Sequence, residues 1–169
     1  VTADVVVLAN AGEARTFAPE LSLLARRGQI SAAPPTAHSR HLRAVLNYGG
    51  AITPLIEGHH YVGATFAPAR GDASDAVPTA EDDARNLAAL TQAMPGLLEG
   101  IDANRSLSRA AVRWSTPDHL AVAGPVPDPG AYRDDYDGLH HGRHWVRYPR
   151  ARYRRGLFAL TGLGAYGLV

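Results

Sequence analysis

Cysteine is absent from the 169 residues. That excludes disulfides, thiolate metal sites and a cysteine nucleophile. Lysine is absent too, so all 17 basic residues are arginine, and with alanine abundant this reads first as base composition of the genome. Long hydrophobic runs are also missing: no window approaches the roughly 18 uncharged apolar residues of a membrane span, so no membrane partner is expected. The chain has no initiator Met and no basic leader, and it opens on what looks like a core strand. A piece excised from a longer protein is the expectation.

What remains is a globular composition, 46% hydrophobic and 20% charged with net charge +1, long enough for one ordinary domain. Net charge says nothing of partners, but its placement is uneven. Arg143, Arg147, Arg150, Arg152, Arg154 and Arg155 crowd one stretch with His140, His141, His144, Trp145, Tyr148 and Tyr153. Such a stretch is either a solvated loop or a footprint for nucleic acid. The three histidines have the spacing of a two-histidine metal pair, but the neighbouring arginines repel a cation and no metal site is expected.

Periodicity predicts a mixed α+β chain dominated by antiparallel pairing. Residues 5–9, VVVLA, read as a strand buried on both faces, ending in Asn10-Ala11-Gly12. Residues 26–35 form a strand stopped by Pro34 and Pro35. Between Arg43 and Phe66 three short β-rich runs, separated at Gly49-Gly50 and Glu57-Gly58, have hairpin spacing. Residues 67–79 read as a polar loop. Thr79 then caps a helix with Glu81, Asp82 and Asp83 at its positive end and Leu87, Leu90 and Met94 on one face. A strand is expected over 105–115, a broken segment over 116–130, a short helix over 131–141, and a last strand from Gly156 into a glycine loop.

That last loop, GLGAYG, spells G-x-G-x-x-G with Gly162, Gly164 and Gly167. A dinucleotide-binding turn needs a following helix whose N-terminus receives the pyrophosphate, and only Leu168 and Val169 follow. No G-x-S-x-G elbow supports a serine hydrolase, and Asp118-His119 sits in a turn sequence where adjacent side chains diverge. Arg113 stands apart: within the apolar run AAVRW its buried guanidinium requires an anion, either an internal carboxylate or one on a ligand.

The order VVVLANAG, RRGQIS, YGGAITPL, HYVGATF, VRWSTPDHLAVAGPVPD and GLFALTGLGAYGL resembles the FAD-dependent oxidoreductases that include glycine oxidase, sarcosine oxidase and D-amino acid oxidase. More closely, VRWSTPDHLAVAGPVPD and the closing glycine loop resemble the C-terminal domain of the bifunctional tRNA 5-methylaminomethyl-2-thiouridine biosynthesis enzymes. The resemblance implies a mainly antiparallel substrate-binding sheet with helices, flanked by edges of an FAD-binding domain. It divides one incomplete domain into an FAD-domain edge at 1–25, a β-rich substrate portion at 26–125, and a return to the FAD domain with the glycine loop at 126–169. It implies oxidation of a carbon-nitrogen bond in carboxymethylaminomethyl uridine of tRNA, FAD as cofactor, tRNA as partner, a cytoplasmic location and a methyltransferase domain ahead of this one.

By the same resemblance Arg113, Tyr48 and Ala51 bind substrate, and Ala11, Gly12, Gly162, Leu163, Gly164 and Gly167 line the cofactor. The catalytic residue is left unassigned. Ala51 and Tyr166 stand where relatives commonly carry tyrosine and arginine. The family's N-terminal nucleotide fingerprint lies outside these residues, which leaves two alternatives open: a glycine or D-amino acid oxidase-like enzyme, and a non-catalytic domain that binds RNA or protein.

Overall fold

In chain order the strands are β1 (Val6–Leu8), β2 (Leu24–Ala33), β3 (Leu46–Asn47), β4 (Ala51–Ile52), β5 (His60–Gly63), β6 (Ala67–Pro68), β7 (Arg109–Ser115), β8 (Val122–Pro127) and β9 (Tyr153–Thr161). The helices are α1 (Ala80–Ala93) and α2 (Pro129–Asp135). This computed structural model describes residues 2–164, so Gly167 and Tyr166 of the closing loop lie outside the described residues. The chain divides into two compact units, Val1–Leu24 with Trp114–Val169, and Ala25–Arg113. The fold is α+β, as the periodicity predicts.

The first unit joins the two ends of the sequence. β1 pairs in parallel with β9, Val6 opposite Leu157 and Leu8 opposite Ala159, and β8 pairs antiparallel on the other edge of β9. Leu8, Ala14, Leu21, Leu23, Val126 and Ala159 form its core, with Trp114 and Val122 packed against them. Two expectations fail here. Within the described residues β1 is not buried on both faces: Leu8 is buried, while Val5 and Val7 are each 57% exposed, no described element packing on their face. Residues 122–127 form a strand despite Pro125 and Pro127, because β8 is an edge strand that needs no donors on its outer side, and its register shifts between those two prolines.

The second unit is a six-stranded sheet in the order β3-β4-β5-β2-β6, with β7 also on β2. Hairpin spacing predicted the antiparallel β3–β4–β5 run, which registers Ile52 against both Leu46 and Val62. Ile52, Val62, Leu90 and Leu98 make its core. Helix α1 begins at the expected cap, the Thr79 hydroxyl accepting from the Asp82 amide at 3.3 Å. Its first turn does more than complement the dipole. Asp82 and Asp83 are buried against β2: Asp82 pairs with Arg27, and Asp83 accepts from Gln29, Ser31 and Ser108.

Candidate functional site

In the first unit, the parallel pairing of β1 and β9 brings both glycine turns to the carboxyl ends of adjacent strands. That is where open α/β sheets bind ligands. After β1 the chain enters a 3₁₀ turn over Ala11–Thr16, with Ala11 in the left-handed region at φ 54°. After β9 it turns through Gly162 (φ 71°) and Gly164 (φ 56°). The Thr161 hydroxyl donates to the Ala11 carbonyl at 3.1 Å, tying the turns together. Ala11, Gly12, Gly162, Leu163 and Gly164 are thus one locality.

The glycines in it are there for space as well as conformation. A Cβ on Gly12 lands on the Trp114 indole, and one on Gly162 sits 3.0 Å from Thr116 Cγ2. The Gly164 amide donates to the Trp114 carbonyl at 2.9 Å, and Ser115 bridges Leu163. Among the described residues Ser115 Oγ, beside this turn, is buried without a hydrogen-bond partner. A buried hydroxyl left unpaired is costly, and it marks a position where an added polar group is favourable. Nothing in the sequence singled out Ser115.

The second unit holds Arg113. The side chains of Arg27, Gln29 and Ser31 bond to α1, so by strand alternation Arg26, Gly28 and Ile30 face away from it. Arg113 lies on that open face: a Cβ on Gly28 would come within 2.7 Å of its Nη2. Gly28 is therefore the cradle of the guanidinium, a role consistent with glycine inside a strand where another group approaches closely. Among the described residues Arg113 takes part in no ion pair. Ala51, opposite Gly63, which is in turn opposite Ile30, shares this face.

Tyr48 does not. It packs with the α1-side core and lines a cavity of about 450 Å³ with Gly50, Ala64, Asn86 and Gln92. Burial pushes its phenol pKa up. The structure thus gathers Arg113 and Ala51 on one face and sets Tyr48 on the other. Arg26 adds a feature the sequence did not flag, its guanidinium standing 5.7 Å from the Phe66 ring centroid on the Arg113 face.

Asp118 and His119 form the turn expected of them. The His119 amide donates to the Thr116 carbonyl at 3.1 Å, and Asp118 accepts from the Leu120 amide. Hydrogen bonds from Thr116 and from Leu120 hold the Asp118 carboxyl below its ordinary pKa. Among the described residues no cluster of three or more His, Asp or Glu is arranged to hold a metal, and no helix is long and apolar enough to cross a membrane.

The family model described as FAD dependent oxidoreductase, DAO, matches residues 1–169. The chain is 38% identical over 176 residues to the tRNA 5-methylaminomethyl-2-thiouridine biosynthesis bifunctional protein MnmC of Chromohalobacter salexigens, covering 99% of this chain and 25% of that protein. It is 34% identical to the protein of the same name from Pseudomonas putida strain GB-1, covering 99% and 26%. The chain therefore spans about a quarter of the length of these relatives. Glycine oxidase from Geobacillus kaustophilus shares the fold with a TM-score of 0.66 at 21% identity, over 98% of this chain and 38% of that one. Iminodiacetate oxidase from Chelativorans sp. BNC1 does so with 0.65 at 19% identity, over 99% and 39%. With a match over its whole length and both glycine turns at one sheet end, the chain belongs to the FAD-dependent oxidoreductase family.

Proposed function

We propose that this chain is the substrate-binding part, with one rim of the flavin site, of an enzyme that oxidises the carbon-nitrogen bond of carboxymethylaminomethyl uridine at the wobble position of tRNA. Arg113 carries the reading. Its guanidinium is held over Gly28, and among the described residues no carboxylate pairs with it, so the anion that a half-buried arginine needs is supplied by a ligand. In a carboxymethylamine the carboxylate and the oxidised bond share one methylene carbon. Gripping the carboxylate in a planar fork therefore fixes which bond is presented. Ala51 lies on the same face and presents only a methyl group there.

FAD, when bound, supplies the two-electron acceptor. The residues of the first unit fit its edge: Ala11 and Gly12 at one turn, Gly162, Leu163 and Gly164 at the other, and the Ser115 hydroxyl, without a partner among the described residues, as a hydrogen-bonding group between strand and turn. A side chain at Gly12 would overlap the Trp114 ring and one at Gly162 would be crowded by Thr116 in a left-handed backbone, so backbone rather than side chain lines this rim. The name of the relatives, a bifunctional tRNA biosynthesis protein, supports tRNA as the partner and a second activity, which we assign to a methyltransferase domain ahead of this chain in a cytoplasmic protein.

The test is a comparison of substrates in the full-length protein. Turnover of tRNA carrying carboxymethylaminomethyl uridine, with glycine far poorer, is the expected result. Arg113→Lys keeps the charge and loses the fork, and kcat/KM for the carboxylate substrate should fall about tenfold to hundredfold through KM. Unchanged kinetics in that variant removes Arg113 from substrate binding, and preference for glycine overturns the tRNA reading.

A further inference from the structure

Residues 138–155 hold six arginines, three histidines and no acidic residue, in a chain whose net charge is only +1. Apart from Arg155, exposed on β9, the structure separates these arginines into two groups. Arg152 forks onto Asp135 through Nε at 2.8 Å and Nη2 at 3.0 Å, and Arg154 reaches the Phe17 carbonyl at 2.9 Å and Glu20. Those two are fastened to the first unit. Arg143, Arg147 and Arg150 are exposed, and none takes part in an ion pair among the described residues.

The segment is pinned at its base while its apex is open. Tyr136 stacks on Tyr148 with ring centroids 5.7 Å apart, and its hydroxyl donates to the Pro149 carbonyl at 2.8 Å. Beyond these anchors, Trp145 is 69% exposed, edge-on to His144 at 4.9 Å. A large indole left in water between free arginines has little reason to be there for folding, since it contributes to neither apolar core. An indole face that stacks a base, flanked by guanidinium groups that take phosphates, is the chemistry that binds single-stranded nucleic acid. Since every basic residue here is arginine, the identity of the cations carries no information. Their placement does: free at the apex, bonded at the base.

We infer that the 139–150 segment is an RNA-docking surface, with Trp145 as a stacking platform for an unpaired base and Arg143, Arg147 and Arg150 as contacts to the flanking phosphates of an RNA loop. This rests on the tRNA reading above and adds to it an RNA-gripping surface on the first unit, made of residues other than those proposed to bind the reacting group. A surface of this kind sets KM for tRNA and leaves turnover of a small amine untouched.

The experiment measures binding of bulk bacterial tRNA to the full-length protein across a salt series, together with oxidation of a small carboxymethylamine. For the triple variant R143A/R147A/R150A, the slope of log affinity against log salt should fall by about two to three, and Trp145→Ala should weaken binding about tenfold. Both variants should keep wild-type kcat/KM for the small amine and a wild-type melting temperature, since the changed side chains are exposed. If tRNA binds the variants as tightly and with the same salt slope, the docking surface is refuted while the tRNA reading stands. If the wild-type protein binds no tRNA at low salt yet oxidises the small amine, the tRNA reading falls and this surface with it. Binding of anionic phosphatidylserine vesicles in place of tRNA also overturns it.

Discussion

Replacing Asp83 with alanine tests whether the second unit depends on a buried polar network between α1 and β2. Asp83 is 6% exposed, and its Oδ1 accepts from Gln29 Nε2 at 2.7 Å, Ser31 Oγ at 2.7 Å and Ser108 Oγ at 2.9 Å. The three donors fare differently when it is removed. Gln29 still reaches the Thr79 carbonyl, and Ser108 keeps a long contact to the Asn104 carbonyl. Ser31 Oγ is left only with Asn86, whose amide donates to it, so its own proton has no acceptor. A buried donor left unpaired costs about 1–3 kcal/mol, and the lost charge-assisted bonds add to that, so Asp83→Ala should cost on the order of 3–5 kcal/mol. At roughly 2–4 °C per kcal/mol for a chain of this size, the melting temperature should drop by about 10 °C. Asp83→Asn retains the Oδ1 acceptor and should cost about half as much. Glu81 on the same helix is the control: its pair with Arg85 is at the surface, and Glu81→Ala should cost no more than about 0.5 kcal/mol. Thermal unfolding followed by far-UV circular dichroism reads all three. An Asp83→Ala loss no greater than that of Glu81→Ala refutes the network.

Gly12→Ala drives a methyl into the Trp114 ring and should destabilise by about 1–3 kcal/mol in urea unfolding, with loss of flavin absorbance from the purified full-length protein. Asp128 caps α2 by accepting from the Ala131 amide at 2.9 Å and the Gly130 amide at 3.0 Å, and those bonds hold its pKa below the ordinary value of 3.8. A depressed carboxyl pKa stabilises the folded state above the unfolded value and stops doing so as pH falls through the folded one. Amide protection in residues 130–135, corrected for the intrinsic exchange rate, should therefore hold at pH 5 and begin to fall as pH drops below about 4, and Asp128→Ala should remove that acid-dependent step.

Helix α1 shows what local sequence can and cannot express. Thr79, the acidic first turn and the Leu87, Leu90, Met94 stripe placed the helix correctly, because caps and periodicity are properties of neighbouring residues. The burial of Asp82 and Asp83 was hidden by the same first turn: an acidic residue at a helix N-terminus is already satisfied by the dipole, so nothing local demands Arg27 or Gln29 some fifty positions away. The prolines of β8 misled for a related reason. Proline forbids a central strand but permits an edge, and edge status depends on a partner, β9, that arrives about thirty residues later. β1 misled in the opposite sense, since an apolar β-branched run declares what could be buried and not what covers it.

The candidate site was legible in its parts and illegible in its assembly. Each glycine turn is visible as a strand followed by small residues, yet only the parallel register of β1 on β9 makes Ala11 and Gly162 neighbours, and pairing between the first and last strands has no local signature. Arg113 carried a sharper signal, a charge in an apolar run, which demands an anion whatever the fold. The sequence left open whether that anion was a side chain of the protein or part of a ligand. Gly28 and the ion pairs bear on the choice. The guanidinium rests where a Cβ at residue 28 would intrude, and the buried carboxylates of the unit, Asp82 and Asp83, are engaged by Arg27, Gln29 and the serines on the α1 side of the sheet. Strand alternation thus sorts the charges: Asp82 and Asp83 are satisfied on the face that packs on the helix, and Arg113 lies with Arg26 on the open face. Among the described residues the buried acids of α1 are paired and Arg113 is in no ion pair, which is why we propose that its anion is the carboxylate of a ligand.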